Sequence, residues 1–543
     1  MFLAKRESIT MKNFSRRDFF KLAGVTAAGA LVSKFEIPAK VAEAAEVKFV
    51  GSGELVEQVF NPYLPLNVYI ADAEPHVFGD RVYIYGSHDD PDGKVYCQNH
   101  YEVWSAPVND LHDWRCEGAS YMRNQDPTNA KDRYQLWAPD AVQGADGRYY
   151  LYYCFSFYAE IGVAVSDNPG GPFQYYGHVK YKNGKTLTEH FPFDPAVFRD
   201  DDGRVYLYYG FAPAEEKEMP EITRDMLKDY PPDEQERMLK LVWGENGMVV
   251  ELENDMLTAK YDPKVVAPGG HHTKGTGFEG HGYFEAPSMR KINGKYYFVY
   301  SSHKSHELCY ATSNYPDRDF KFGGIIISNG DMGYKGRTTP VYPLGNIHGG
   351  IAQVGNDYYI FYHRQTNGTE FSRQGCAEKL EIKADGSIPQ VEITSCGLNG
   401  APLMTTGSYP AAIACHLTDE FTTTEIKYFD SADAPMKQHV HVTQHMNQVF
   451  ITNVKSGAII GYKYFDFKDV KNISVELRGD FKGTIEVTQS LDGAAIGTQR
   501  LNMSSNNWGM IDIPVKPKSG KNALYFKFSG SGKADFKTFV FER

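Results

Sequence analysis

Apolar and polar positions alternate with a period of two along most of this chain, in short runs broken by Gly, Asn and Asp. The first clear case is "YIADAEPHVFGDRVYIYGSHD" at 69–89, and four later stretches share its plan. They are "LWAPDAVQGADGRYYLYYCFS" (136–156), "PFDPAVFRDDDGRVYLYYGFA" (192–212), "YFEAPSMRKINGKYYFVYSSH" (283–303) and "NIHGGIAQVGNDYYIFYHRQ" (346–365). Each predicts a hairpin: a short apolar strand, a tight turn (GD, ADG, DDDG, NG or GND), then a Tyr-rich strand. Asn-Gly and Asp-Gly tolerate the positive φ that such turns need. The second strands are aromatic on both faces, as expected where sheets stack on one another.

A polar residue stands at the entrance of each copy: Asp72, Asp140, Asp194, Glu285 and His348. Repeated hairpins 54 to 91 residues apart predict an all-β fold, a five-bladed β-propeller over 50–396. In a propeller the first strand of each blade lines the central channel, so these entrance residues should meet at one end of it. The longest gap holds a charged insertion, "EEKEMPEITRDMLKDYPPDEQERMLKLV", that reads as helix at 219–230 and 232–241. No Trp-Asp dipeptide and no SxDxGxTW box occurs, which sets aside WD40 and sialidase-type propellers. From about 411 the repeat stops but alternation continues, predicting a β-sandwich over 411–543 after a linker at 395–410.

Length and composition sharpen this picture. With 543 residues, more than one domain is expected, and 14% aromatics supply ample core. A net charge of −11 argues against nucleic-acid partners, which call for a basic face. Seven Cys, an odd number without CxxC, suggest neither a zinc site nor a disulfide framework, leaving buried thiols or one or two disulfides. The N-terminus, "SRRDFFKLAGVTAAGALVSKF" followed by "VAEAAE", resembles a bacterial twin-arginine export signal, assigning 1–45 to a leader. Its apolar run, Leu22 to Val32, is 11 residues, too short to span a bilayer. The expectation is an exported chain, periplasmic or secreted, with no transmembrane segment.

Two carboxyl groups flanking a sugar can hydrolyse a glycosidic bond, one protonating the leaving oxygen and the other activating water. The acid must stay protonated near neutral pH, so burial or a neighbouring negative charge must raise its pKa. Asp72, Asp194 and Glu285 offer three carboxylates from three blades. Here "YIADAEPHVF", "FDPAVFRDDDGRVYLYYG" and "FEAPSMRKINGKYYFVYSS", with "WAPD" and "IHGG…YYIFYHR", resemble the motifs of glycoside hydrolase family 43 over about 60–395. The resemblance implies a five-bladed inverting glycosidase with Asp72 as general base, Asp194 as pKa modulator and Glu285 as general acid. The acid and base of an inverting enzyme stand roughly 6.5–9.5 Å apart. Two departures occur: "ADAEP" where Asp-Pro is common, leaving Glu74 as a rival base, and "EAPSM" where Gly often follows the Glu.

The same resemblance implies substrate contacts from Trp137, His348 and Arg373, with no cofactor required and a calcium ion in the central channel as an option at His348. The competing readings are a core Trp, a hydrogen-bonded channel His and a surface Arg. Asp140 reads as structural. The C-terminal strands resemble carbohydrate-binding modules of family 6, with Trp508 and Tyr462 either sugar-binding or core. The expected substrate is a plant oligo- or polysaccharide. α-L-Arabinofuranosidase comes first, then β-xylosidase or β-D-galactofuranosidase, then a non-catalytic sugar-binding propeller.

Overall fold

The computed structural model describes residues 58–156, 158–212, 232–239, 244–419 and 438–543. The predicted leader at 1–45 and the predicted helix at 219–230 lie outside these. Of the second predicted helix, Pro232–Met238 is α-helical.

Five sheets form the propeller. Blade 1 is Ile70–Phe78, Arg81–His88, Tyr101–Pro107 and Arg115–Tyr121; blade 2 is Leu136–Gln143, Tyr149–Phe155, Tyr158–Ser166 and Gln174–His178. Blade 3 is Ala196–Arg199, Val205–Tyr209, Asn246–Leu252 and Lys264–Pro268; blade 4 is Tyr283–Ile292, Lys295–Ser302, Glu307–Ser313 and Lys321–Ser328. Blade 5 has three strands, Ile351–Val354, Asp357–Gln365 and Arg373–Leu380. Its outer edge is covered by the start of the described chain, where Tyr63 N–H donates to the Gly375 carbonyl and Asn61 brackets Ala377. The edge groups that would otherwise invite another chain are thereby paired.

The aromatic second strands are buried on both faces, since Tyr150, Leu151, Tyr152 and Tyr153 are all at most 2% exposed. A buried phenol needs a hydrogen-bond partner, and here that need links the blades. Tyr85 Oη donates to the Pro169 carbonyl (2.6 Å), Tyr152 to Met256 (2.7 Å) and Tyr208 to Pro316 (2.8 Å). Each bond runs from one blade to a loop of the next.

The C-terminal strands form one continuous nine-stranded ladder, dominated by Asn472–Thr488, Ala495–Pro514 and Gly520–Glu542. It begins early: Leu403–Met404 pairs with Phe465–Asp466, and Gly407–Pro410 pairs with Thr538–Phe541, so the stretch read as linker carries two strands of this sheet. Tyr462 is fully buried in its core. Trp508 is half-buried against Phe450, with the Arg478 guanidinium over its ring. All seven cysteines are free.

Candidate active site

The innermost strands of three blades break register at their entrances. Pairing in blade 1 shifts between Ala71 and Glu74, in blade 2 between Trp137 and Asp140, and in blade 4 between Glu285 and Ser288. In blade 3 pairing starts only at Ala196, and in blade 5 Phe361 N–H bonds the Gly350 carbonyl. Aligned on these shifts, Asp72, Ala138, Asp194, Ala286 and His348 share one position. Asp140 therefore lies two residues further along its strand, level with Glu74. Glu285 lies one residue earlier, level with Trp137. This corrects the sequence register, which set Asp140 and Glu285 level with Asp72: it matched the first polar residue of each copy, whereas level positions are fixed by the pairing with the second strand.

The bulges hold backbone in the left-handed region, with φ of 53° at Asp72, 47° at Asp194 and 63° at Ala286. Such conformations cost about 1–3 kcal/mol each and persist where the surroundings over-determine them. The surroundings here are the ends of the second strands. Asp72 N–H donates to His363 Nδ1 (3.1 Å), and Asp194 N–H points at Cys154 Sγ (3.4 Å). Ala286 N–H donates to Asp194 Oδ2 (3.2 Å), tying blade 4 to blade 3 beside Glu285.

Asp72 is buried and accepts from Arg373 Nη1 at 2.8 Å. Arg373 is itself only 2% exposed; its Nε and Nη2 donate to Asp89 at 2.7 and 3.1 Å, and its guanidinium sits over the Tyr96 ring. It is therefore no surface arginine; it fixes the carboxylate of Asp72. Two imidazoles complete the shell. His363 Nε2 lies 2.9 Å from the Asn346 carbonyl, which can only accept, so Nε2 carries the proton and Nδ1 is the bare acceptor for Asp72 N–H. That ring is neutral, in line with burial pushing it down to about 3. His348 Nδ1 lies 3.6 Å from Asp194 Oδ2 and 4.0 Å from Asp72 Oδ1, and burial pushes it down to about 4. The fixed positive charge is thus Arg373.

The electrostatics separate the carboxyl groups. Burial would raise Asp72, but Arg373, with the imidazoles when charged, outweighs it and holds the group at about 2. Burial and the charge of Asp72 push Glu285 up to about 8. Asp194 is also raised, by burial first and then by Glu285 and Asp72. Glu285 and Asp194 therefore do not ionise independently, the charge of one opposing that of the other. Asp194 accepts the Ala286 N–H, whereas no hydrogen bond reaches the Glu285 carboxyl among the described residues, so Asp194 is the better anion and Glu285 the better acid.

An aromatic wall stands on this side. Phe193 and Phe284, the neighbours of Asp194 and Glu285, both pack on Phe211, at 5.0 and 5.2 Å between ring centres. Trp137 meets Phe193 edge to face at 5.4 Å and is half-buried. Asp140 accepts from its own neighbour Ala141, from Val197 of blade 3 and from His76. Glu74 is buried and paired with Arg290 at 2.9 Å, deeper in the channel than Asp72. Arg373, Arg290 and His76 serve Asp72, Glu74 and Asp140 in the channel.

The sequence reading passed over Asp89 and His363. Asp89 follows His88 in "YGSHDD", and His363 ends "YYIFYH" at the position held by Ser87, Cys154, Gly210 and Ser301 in the other blades. That column was visible as the end of each Tyr-rich strand. Nothing in the sequence said that it supports the entrance of the following blade.

The family model described as glycosyl hydrolases family 43 matches residues 66–388. A xylosidase/arabinosidase of Thermoclostridium stercorarium is 44% identical over 89% of this chain and 99% of its own length. A beta-xylosidase of Xylanibacter ruminicola is 30% identical over 60% of this chain and 97% of its own. A crystal structure of a family 43 arabinoxylan arabinofuranohydrolase from Bacillus subtilis, in complex with cellotetraose, is 23% identical. It covers 89% of this chain and 97% of that one, with a TM-score of 0.45.

Proposed function

Because the chain belongs to glycoside hydrolase family 43, we propose that it is an inverting glycosidase releasing terminal α-L-arabinofuranosyl units from plant polysaccharide or its oligosaccharides, with β-xylosyl units as second substrate. In this reading Asp72, ionised and held by Arg373, takes a proton from water. That water attacks the anomeric carbon from the face opposite the leaving oxygen. Glu285, protonated near neutral pH, gives its proton to that oxygen as the bond breaks. Asp194 orients the strand of Glu285 through the Ala286 N–H, and when ionised its charge adds to that of Asp72 in raising the acid. Trp137, Phe193 and Phe284 cover the apolar side of the ring. After one turnover Asp72 is protonated and Glu285 ionised, and exchange with solvent restores both.

The observation that carries this reading is the linkage of the three acids: Arg373 bonds Asp72, His348 lies between Asp72 and Asp194, and Asp194 accepts from the residue after Glu285, an arrangement that holds Asp72 low and Glu285 high. Support for the sugar class comes from the 44% identical relative, whose name joins xylosidase and arabinosidase. Glu74 is set aside as base because Arg290 and Ser288 occupy it.

The test is a panel of nitrophenyl α-L-arabinofuranoside, β-D-xyloside and β-D-galactofuranoside, with product configuration followed by NMR. Glu285→Gln is expected to slow arabinoxylan oligosaccharides by ~10²–10⁴-fold. It should slow dinitrophenyl glycosides far less, because that leaving group departs without a proton. Equal losses on both substrates would remove Glu285 from the role of acid. A retained anomeric configuration would remove the water-activating role of Asp72.

A further inference from the structure

A second cluster of donor atoms lies on the same end of blade 4, outside the carboxyl site. His281 precedes the strand that carries Glu285, while Glu307 and Cys309 open the third strand of the blade. His281 Nδ1 is 2.7 Å from Glu307 Oε1, Cys309 Sγ is 3.7 Å from that oxygen, and Cys309 Sγ is 3.9 Å from His281 Nδ1. Bonds of about 2.3 Å to sulfur and about 2.0 Å to nitrogen and oxygen at a tetrahedral angle put such donors roughly 3.3–3.6 Å apart. Two of the three separations are within a few tenths of an ångström of that; the His281–Glu307 hydrogen bond must lengthen, and Ser302 Oγ, which donates to the same Glu307 oxygen at 2.7 Å, must turn to the other lone pair or to Oε2.

We propose that His281, Glu307 and Cys309 form a binding site for a zinc-type divalent cation, with a fourth position open to water. A nitrogen, a thiol and a carboxylate together suit zinc or cobalt and not calcium or magnesium, which take oxygens. Phe322 stacks on the His281 ring at 4.9 Å and fixes its plane. The site is reachable, because the side chain of His281 is 22% exposed whereas Glu307 lies at 2%. In the adjoining loop the His303 Nδ1 atom is buried with no hydrogen-bond partner among the described residues, one further nitrogen beside the cluster.

The Lys304 ammonium lies 3.5 Å from Glu307 Oε1 and 3.5 Å from His281 Nδ1, so it competes with a metal for the same oxygen. Its side chain is 30% exposed. Binding then exchanges one ammonium contact for the metal and releases the Cys309 thiol proton to solvent, so affinity rises with pH.

Titration of the untagged full-length chain with Co²⁺ at pH 8 tests this directly. A thiolate-to-cobalt charge-transfer band should saturate at one equivalent. Zn²⁺ should abolish it. Cys309→Ser should lose the band, Cys116→Ser should keep it, and Lys304→Ala should bind ~tenfold more tightly, since a like charge leaves a partly exposed site. If Cys309→Ser fails to fold, His281→Ala replaces it and should weaken binding ~tenfold or more. A wild-type protein that gives no band, or a band unchanged by both Cys309→Ser and His281→Ala, would overturn the proposal.

Discussion

At the scale of single residues, the carboxyl site works by difference. Burial raises both Asp72 and Glu285, yet one lies near 2 and the other near 8 because Arg373 is bonded to Asp72, whereas the charge of Asp72 raises Glu285 further. Activity needs Asp72 ionised and Glu285 protonated, so kcat/KM should hold across mildly acid and neutral pH and fall above about 8, as Glu285 loses its proton. Asp194→Asn removes a negative charge beside the acid, which lowers its pKa. The basic limb should move down by about 1–2 pH units, with kcat reduced as well. Arg373→Lys keeps one charge but cannot bond Asp72 and Asp89 together. Asp72 then rises, and the acid limb of the profile should climb while the basic limb stays put. Steady-state pH profiles on a nitrophenyl arabinofuranoside check both variants. A basic limb unmoved by Asp194→Asn would mean that Asp194 does not set the pKa of Glu285.

At the scale of elements, the entrance bulges of blades 1 and 4 set strand ends as supports for Asp72 and Glu285. Ala286 shows it best, since its φ of 63° aims its N–H at Asp194 and sets the preceding Glu285 in the cavity. Ala286→Gly fits that backbone and should keep activity, with stability changed by less than about 1 kcal/mol. Ala286→Val places a β-branched side chain at positive φ and should lose about 1–3 kcal/mol by chemical denaturation, together with most of the activity. Equal behaviour of the two variants would show that the bulge is not under conformational constraint. The same feature explains what the sequence made legible. The five hairpins and the acids Asp72, Asp194 and Glu285 stood out because turn chemistry and Tyr-rich strands are local patterns. The one-residue offset of Glu285 did not, because register is a property of pairing that appears only when the partner strand is known. Asp89 and His363 escaped for a related reason: their partners, Arg373 and Asp72, lie 284 and 291 residues away.

At the scale of the whole molecule, the propeller and the C-terminal sheet are joined by a buried charge cluster. Lys463, in the C-terminal strand Ile459–Phe467, bonds Asp331 and Glu392 of the propeller side at 3.0 Å each, and its side chain is only 4% exposed. Asp331 is fully buried; burial raises its pKa, and Lys463 opposes the rise. A pair like this contributes little over an apolar substitute, but losing one partner strands the other charge. Lys463→Met should therefore cost about 3–5 kcal/mol. Asp331→Asn in the same chain should return most of that loss, because an amide needs no counter-charge. Chemical denaturation of the four proteins of this double-mutant cycle measures the coupling, and activity at 25 °C reads whether the carboxyl site follows it. The outcome that fits the structure is a large coupling energy with kcat unchanged in the double variant, since Lys463 and Asp331 touch none of Asp72, Asp194 or Glu285. Two additive losses would place the joint between the two parts elsewhere, as at the bond from Leu417 N–H to the Val341 carbonyl.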